Sequence, residues 1–131
     1  MYKTLESATP GTSVALNDAL EVLKFNADGL ICAIAQQFDS GTVLMQAWMN
    51  LESIKKSLES GRVCYWSRSR NKFWFKGEES GHIQKLVELR IDCDGDSILL
   101  KVDQTGPACH TERQSCFYLK VSDQQLVVSS Q

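Results

Sequence analysis

Three cysteines, Cys93, Cys109 and Cys116, share the last third of this chain with three alternating carboxylates, Asp92, Asp94 and Asp96. Thiolates suit zinc, whereas carboxylates suit magnesium or calcium, so one short region carries donors for two kinds of cation. Catalytic zinc sites often keep three protein ligands and leave the fourth position to water, a pattern that three thiolates would meet. The alternative is a set of ordinary buried thiols, because free cysteine is among the most buried residue types. The spacing matches no Cys-x-x-Cys signature.

The aspartates have a bland alternative too, an acidic turn in solvent. Carboxylates placed this close repel one another unless a hard cation takes up their charge. An EF-hand loop is excluded, since Ser97 and Asp103 stand where that loop needs Gly and Glu. An uninterrupted strand would put the three aspartates on one face and Cys93 on the other. A tight turn at Asp94-Gly95 would instead set Cys93 opposite Asp96; the sequence leaves both arrangements open.

Further chemistry is carried nearby. His110 follows Cys109 directly, and its ordinary pKa of about 6.5 suits proton transfer near neutral pH. His82 has no such neighbour and receives no role. The basic stretch from Arg68 to Lys72, with Arg70 and Lys76, offers guanidinium forks that match phosphate oxygens. Trp66 and Trp74 flank it and could stack on a purine, or simply be core.

The elements that must hold these groups are legible in outline. Helix-like apolar spacing covers residues 16–25. Apolar runs at 30–37 and 42–49, separated by Asp39-Ser40-Gly41, predict a largely buried hairpin. Asn50 is placed to cap a helix with Leu51, Ile54 and Leu58 on one face and Lys55 and Lys56 toward water, ended by Gly61. Strands are expected at 62–67 and 73–76 around the basic turn, and at 84–92 and 97–103 around Asp94-Gly95. Segments 117–121 and 126–128 could finish a sheet. The fold class is therefore α+β, strand-rich, with a mainly antiparallel barrel-like or sandwiched sheet and one or two short helices.

A chain of 131 residues is one domain's worth, with a core at 25–121 and an N-terminal extension at 1–24. With 14 basic and 16 acidic residues and a net charge of -2, it offers no electrostatic footprint for nucleic acid. No segment approaches the ~20 apolar residues that span a bilayer, and the start lacks a secretory signal. A cytoplasmic setting is expected, and five cysteines cannot all pair within one chain. Cys32 and Cys64 lie in apolar strand runs and read as core thiols.

Several strings together resemble the phosphoribosyl-AMP cyclohydrolase family of histidine biosynthesis. They are Ser67-Arg68-Ser69-Arg70, Trp74-Phe75-Lys76-Gly77-Glu78, Ser80-Gly81, Asp92-Cys93-Asp94-Gly95-Asp96, Gly106-Pro107-Ala108-Cys109-His110-Thr111 and Ser115-Cys116-Phe117-Tyr118. Glu79 and Glu112 stand where a small residue is expected. The resemblance implies a dimeric hydrolase that opens the adenine ring of phosphoribosyl-AMP at the N1 to C6 bond. It implies zinc on Cys93, Cys109 and Cys116, with the first supplied by one subunit and the later pair by the other. It further implies magnesium on Asp92, Asp94 and Asp96, His110 as proton shuttle, and a nucleotide pocket with Arg68, Arg70, Lys76, Glu78, Ser80 and Gly81. The zinc deaminases, a competing class, are set aside because their His/Cys-x-Glu and Pro-Cys-x-x-Cys signature is missing.

Overall fold

The computed structural model describes residues 1–130. Two short helices, α1 (Tyr2–Leu5) and α2 (Leu16–Glu21), precede the hairpin β1 (Ile31–Gln37) and β2 (Val43–Met49). Helix α3 (Leu51–Ser60) leads to β3 (Cys64–Ser67), β4 (Lys72–Phe75), β5 (Gln84–Ile91) and β6 (Ser97–Gln104). A final pair, β7 (Leu119–Ser122) and β8 (Gln125–Val128), ends the described chain.

Strands β1 to β6 form one curled half-barrel sheet in the order β4-β3-β2-β1-β6-β5. Every pairing is antiparallel except β1 with β6, which run parallel with Ala33 beside Ile98 and Ala35 beside Leu100. The expected class holds, with three short helices rather than one or two. Period-two alternation sends Ile31, Ala33 and Ala35 of β1 and Ile98, Leu100 and Val102 of β6 into the core. Leu44, Met49, Ile54 and Tyr65 complete that core, and Leu20 of α2 joins it from outside the sheet.

Helix α3 begins and ends where the sequence places it. Asn50 accepts from the Ser53 N–H at 2.8 Å, the Ser53 hydroxyl accepts from the Asn50 N–H at 2.9 Å, and Gly61 closes the helix with φ of 75°. Its buried face differs from the expected one. Ile54 is fully buried, but Leu58 is exposed and the other buried residues are Ser53 and Ser57. Ser57 explains this: its hydroxyl donates to the Ser53 carbonyl at 2.8 Å and accepts from the Cys64 N–H at 2.8 Å, so the helix is fastened to β3 by a polar side chain.

Three other departures have identifiable causes. Helix α2 stops at Glu21 because the Lys24 N–H turns away to the Gly95 carbonyl at 2.7 Å instead of extending the helix. Helix α1 is too short for a periodic signal and was not expected. The C-terminal strands do not finish the sheet; they pair only with each other as a ribbon, turned by Asp123 and Gln124, both with positive φ. That geometry is the tight hairpin turn that Asn-Gly usually marks, here built without glycine. Among the described residues no helix is long and apolar enough to cross a membrane.

Removing the Ser57 hydroxyl strands the buried Cys64 N–H. Ser57→Ala is expected to lower unfolding free energy by about 1–3 kcal/mol in chemical denaturation. A change near zero would show that α3 does not depend on this bond.

Candidate active site

The loop from β6 to β7 carries Cys109 and Cys116 and is docked on β2. The Cys116 N–H donates to the Leu44 carbonyl at 2.7 Å, and the Ser115 hydroxyl donates to the Val43 carbonyl at 2.7 Å. Within the loop, the Ala108 and Cys109 N–H groups donate to the Gln114 and Arg113 carbonyls, each at 3.1 Å. Gly106 lets the loop approach His82, since a Cβ there would fall 2.7 Å from the imidazole Cδ2. The unassigned histidine thus has a packing role.

This folding brings the two later thiols together. Burial pushes the Cys109 thiol up, but hydrogen bonds from the Thr111 hydroxyl (3.0 Å), the Thr111 backbone and Cys116, with the charge of Arg113, outweigh it and leave its pKa below the usual thiol value. Cys116 is pushed up to about 11 by desolvation of its sulfur, then by its bond to Cys109 and that group's charge, against a smaller opposing effect of Lys76. The Cys116 residue as a whole is exposed, yet its sulfur is partly desolvated beside Cys109. Of the pair, Cys109 is the more readily ionised, with Cys116 as its hydrogen-bond partner. His110 is exposed, one position past the buried Cys109. Glu112 adopts a φ of 71°, which gives the expectation of a small residue there a backbone reason.

The acidic segment is a turn, not a continuous strand. The Asp92 N–H donates to the Ser97 carbonyl at 3.0 Å, the Gly95 N–H to the Asp92 carbonyl at 2.9 Å, and the Asp94 N–H to Asp92 Oδ1 at 3.2 Å. Asp92, Cys93 and Asp94 converge, with ligand atoms all within 4.8 Å of one another, and Asp96 lies outside this group. The turn thus gathers soft and hard donors, with Asp92 and Asp94 rather than Asp96 beside the sulfur. A hydrogen bond to Asp92, then the charges of Asp92 and Asp94, hold the Cys93 thiol above its usual pKa. Among the described residues Cys93 does not join Cys109 and Cys116.

The pocket residues fall on two adjoining clefts. One, of about 190 Å³, is lined by Arg70, Trp74, Lys76, Gly77, Glu78, Glu79 and Ser80. Gly81 closes the turn behind it, its N–H donating to the Gly77 carbonyl at 2.8 Å. The other, of about 650 Å³, holds Arg68 and Arg70 with Trp48, Trp66 and Trp74, all three tryptophans of the chain. Trp48 was not foreseen; it reaches the cleft because β2 pairs it with Trp66 in β3, and the Arg68 guanidinium lies 5.1 Å from its ring centre. Lys76 connects cleft and thiols. Its ammonium donates to the Ala108 carbonyl at 2.6 Å, lies 5.4 Å from the Trp74 ring centre, and feels the charges of both Cys116 and Cys109. Desolvation lowers its pKa against those two sulfurs.

Such a site can seat a flat, phosphorylated ligand beside a pair of soft metal donors. A family model described as phosphoribosyl-AMP cyclohydrolase matches residues 45–118. A phosphoribosyl-AMP cyclohydrolase of Alkalilimnicola ehrlichii is 60% identical over 128 residues, covering 98% of this chain and 90% of the relative. One of Paracoccus denitrificans is 66% identical over 106 residues, covering 81% and 88%. One of Hydrogenovibrio crunogenus is 60% identical over 124 residues, covering 95% and 84%. These relatives make the chain an enzyme of the hydrolase class. More particularly, the chain belongs to the phosphoribosyl-AMP cyclohydrolase family.

The thiol acidities set a pH dependence for any thiophilic cation. Cys93 and Cys116, raised above the usual value, are protonated at neutral pH and must each release a proton on coordination; Cys109, lowered, releases less than one. A thiophilic cation bound by all three sulfurs at pH 7 is therefore expected to release between two and three protons, with affinity climbing as pH rises. Calorimetry in buffers of different ionisation enthalpy reads that number, and a value near zero would contradict the assignment.

Proposed function

We propose that the chain is a metal-dependent hydrolase that opens the adenine ring of 1-(5-phosphoribosyl)-AMP at the N1–C6 bond, a step of histidine biosynthesis. The observation that carries this reading is the contact made by Lys76, which lines the cleft of Arg70 and Trp74 and is bonded to the loop holding Cys109 and Cys116. The family assignment supplies the substrate class, and the clefts suit it: guanidinium groups for two phosphates and tryptophan faces for a purine.

The donor set fits the expected cations. Cys109 and Cys116 would hold zinc with Cys93 of the partner subunit, since one chain brings only two of the three sulfurs together. Asp92 and Asp94, with Asp96 nearby in the turn, would hold magnesium through oxygen donors. Zinc bound to thiolates supplies Lewis acidity that lowers the pKa of water to about 7 in well-tuned sites. The N1 substituent makes the ring amidinium-like and C6 electron-poor. Addition of water at C6 forms the C–O bond, the C6–N1 bond breaks, and N1 takes a proton as the formimino carboxamide product forms. His110 would take the proton from the attacking water. Arg68, Arg70, Glu78 and Ser80 would orient the nucleotide.

The reading includes a homodimer in the cytoplasm, where free thiols persist. All five cysteines are free in the structure. On the β7–β8 ribbon, Leu119, Val121, Leu126 and Val128 share one face by register, and each is more than half exposed. Phe117, just before the ribbon, is 57% exposed, and the apolar face of the ribbon is available for a second copy.

Two results test this. Cys109→Ser is expected to reduce phosphoribosyl-AMP turnover to background and zinc content with it, and zinc added back after chelation is expected to restore only the wild type. Retained turnover in the variant would refute the assignment. Val121→Asp with Leu126→Asp is expected to yield monomers by sedimentation and to lose turnover in parallel; a fully active monomer would remove the need for a shared site.

A further inference from the structure

Residues 1–24 contribute nothing to the clefts, yet they grip the acidic turn from two sides. The Tyr2 ring lies on Gly95 so closely that a Cβ at that position would come within 2.6 Å of ring carbons Cδ2 and Cε2. The Tyr2 hydroxyl donates to the Ala19 carbonyl at 2.6 Å, which ties α1 to α2. From the other side, the Lys24 N–H donates to the Gly95 carbonyl at 2.7 Å. Gly95 is consequently buried in a turn whose neighbours Cys93, Asp94 and Asp96 are exposed. Leu5 and Val14 line a cleft of about 340 Å³ together with Tyr2, Ile91, Asp92 and Cys93.

A turn that holds two carboxylates together works against charge repulsion. Its internal bonds are few, and the hydrogen bond from the Asp94 N–H to Asp92 Oδ1 is long at 3.2 Å. Something outside the turn must keep the donors convergent before any cation arrives. A donor set held in place in advance binds more tightly, because the ligand does not then meet the cost of ordering it.

We propose that Tyr2 is a positioning residue, which packs on Gly95 from α1 and holds the Asp92–Asp96 turn in the conformation where Asp92, Cys93 and Asp94 converge. The magnesium consequence rests on the reading of that turn given above; the mechanical brace does not. Tyr2→Ala removes the ring, whereas Tyr2→Phe keeps it and loses only the hydroxyl.

The test has two arms on the full chain. In the metal-free protein, hydrogen exchange of the amides at 92–96 is expected to accelerate in Tyr2→Ala, confined to that turn, and to stay near wild type in Tyr2→Phe. Unchanged exchange in Tyr2→Ala overturns the proposal. If Tyr2→Ala loosens the whole chain, Tyr2→Leu, which keeps apolar bulk without the flat ring, takes its place under the same two outcomes. In the second arm, calorimetry with magnesium alone is expected to show roughly tenfold weaker binding for Tyr2→Ala than for Tyr2→Phe. Equal affinity in the two variants, with wild type binding magnesium, counts against a positioning role; a wild type that takes no magnesium refutes the cation reading and leaves the exchange arm to decide the brace.

Discussion

An ammonium group that has lost much of its water must find an acceptor in the protein, and at Lys76 this is the Ala108 carbonyl, with two sulfurs acting on it through their charge. That need draws the end of β4 against the loop after β6. The cleft with its tryptophans and arginines then opens beside the thiols instead of on a separate face. The loop cannot drift, because β2 holds it at Val43 and Leu44. Everything chemical on this side of the sheet is arranged around that lysine.

The two neighbouring thiols then divide their acidity. Thr111 and Arg113 favour negative charge on Cys109, and that charge in turn discourages ionisation of Cys116. The two sulfurs thus titrate as a coupled pair, more acidic at one than at the other. Its structural precondition is a glycine: only with hydrogen at position 106 can the loop lie against His82 and bring Cys109 down to its buried place. The acidic turn obeys the same logic, with a glycine at 95 admitting an aromatic ring.

Local signals made much of this legible. Helix α3 could be delimited because Asn50 and Gly61 act within one turn of their targets, and the β1–β2 hairpin because its apolar runs flank a short polar break. The basic stretch, the cysteines and the aspartates stood out by residue type alone. Less was visible wherever partners lie far apart in the chain. Trp48 enters the cleft only through its register opposite Trp66, and Ser57 is buried only because Cys64 presents an N–H to it. The Asp92–Asp96 segment left strand and turn open, since side-chain types alone do not fix backbone direction. The C-terminal ribbon reads as two more sheet strands, because apolar alternation says nothing about which edge, if any, will accept it.

The parallel seam between β1 and β6 also governs how the molecule can come together. Hairpin neighbours such as β1 with β2 and β3 with β4 join over short stretches, but Cys32 meets Ser97 across about half the chain. Lengthening a loop adds little to its entropic cost, yet distant pairings slow the search for the native topology. The first four strands can assemble while later residues are still leaving the ribosome, presenting β1 as an open edge. The β5–β6 hairpin beside the acidic turn can join that edge only afterwards, through β6, so the halves of the site mature at different moments.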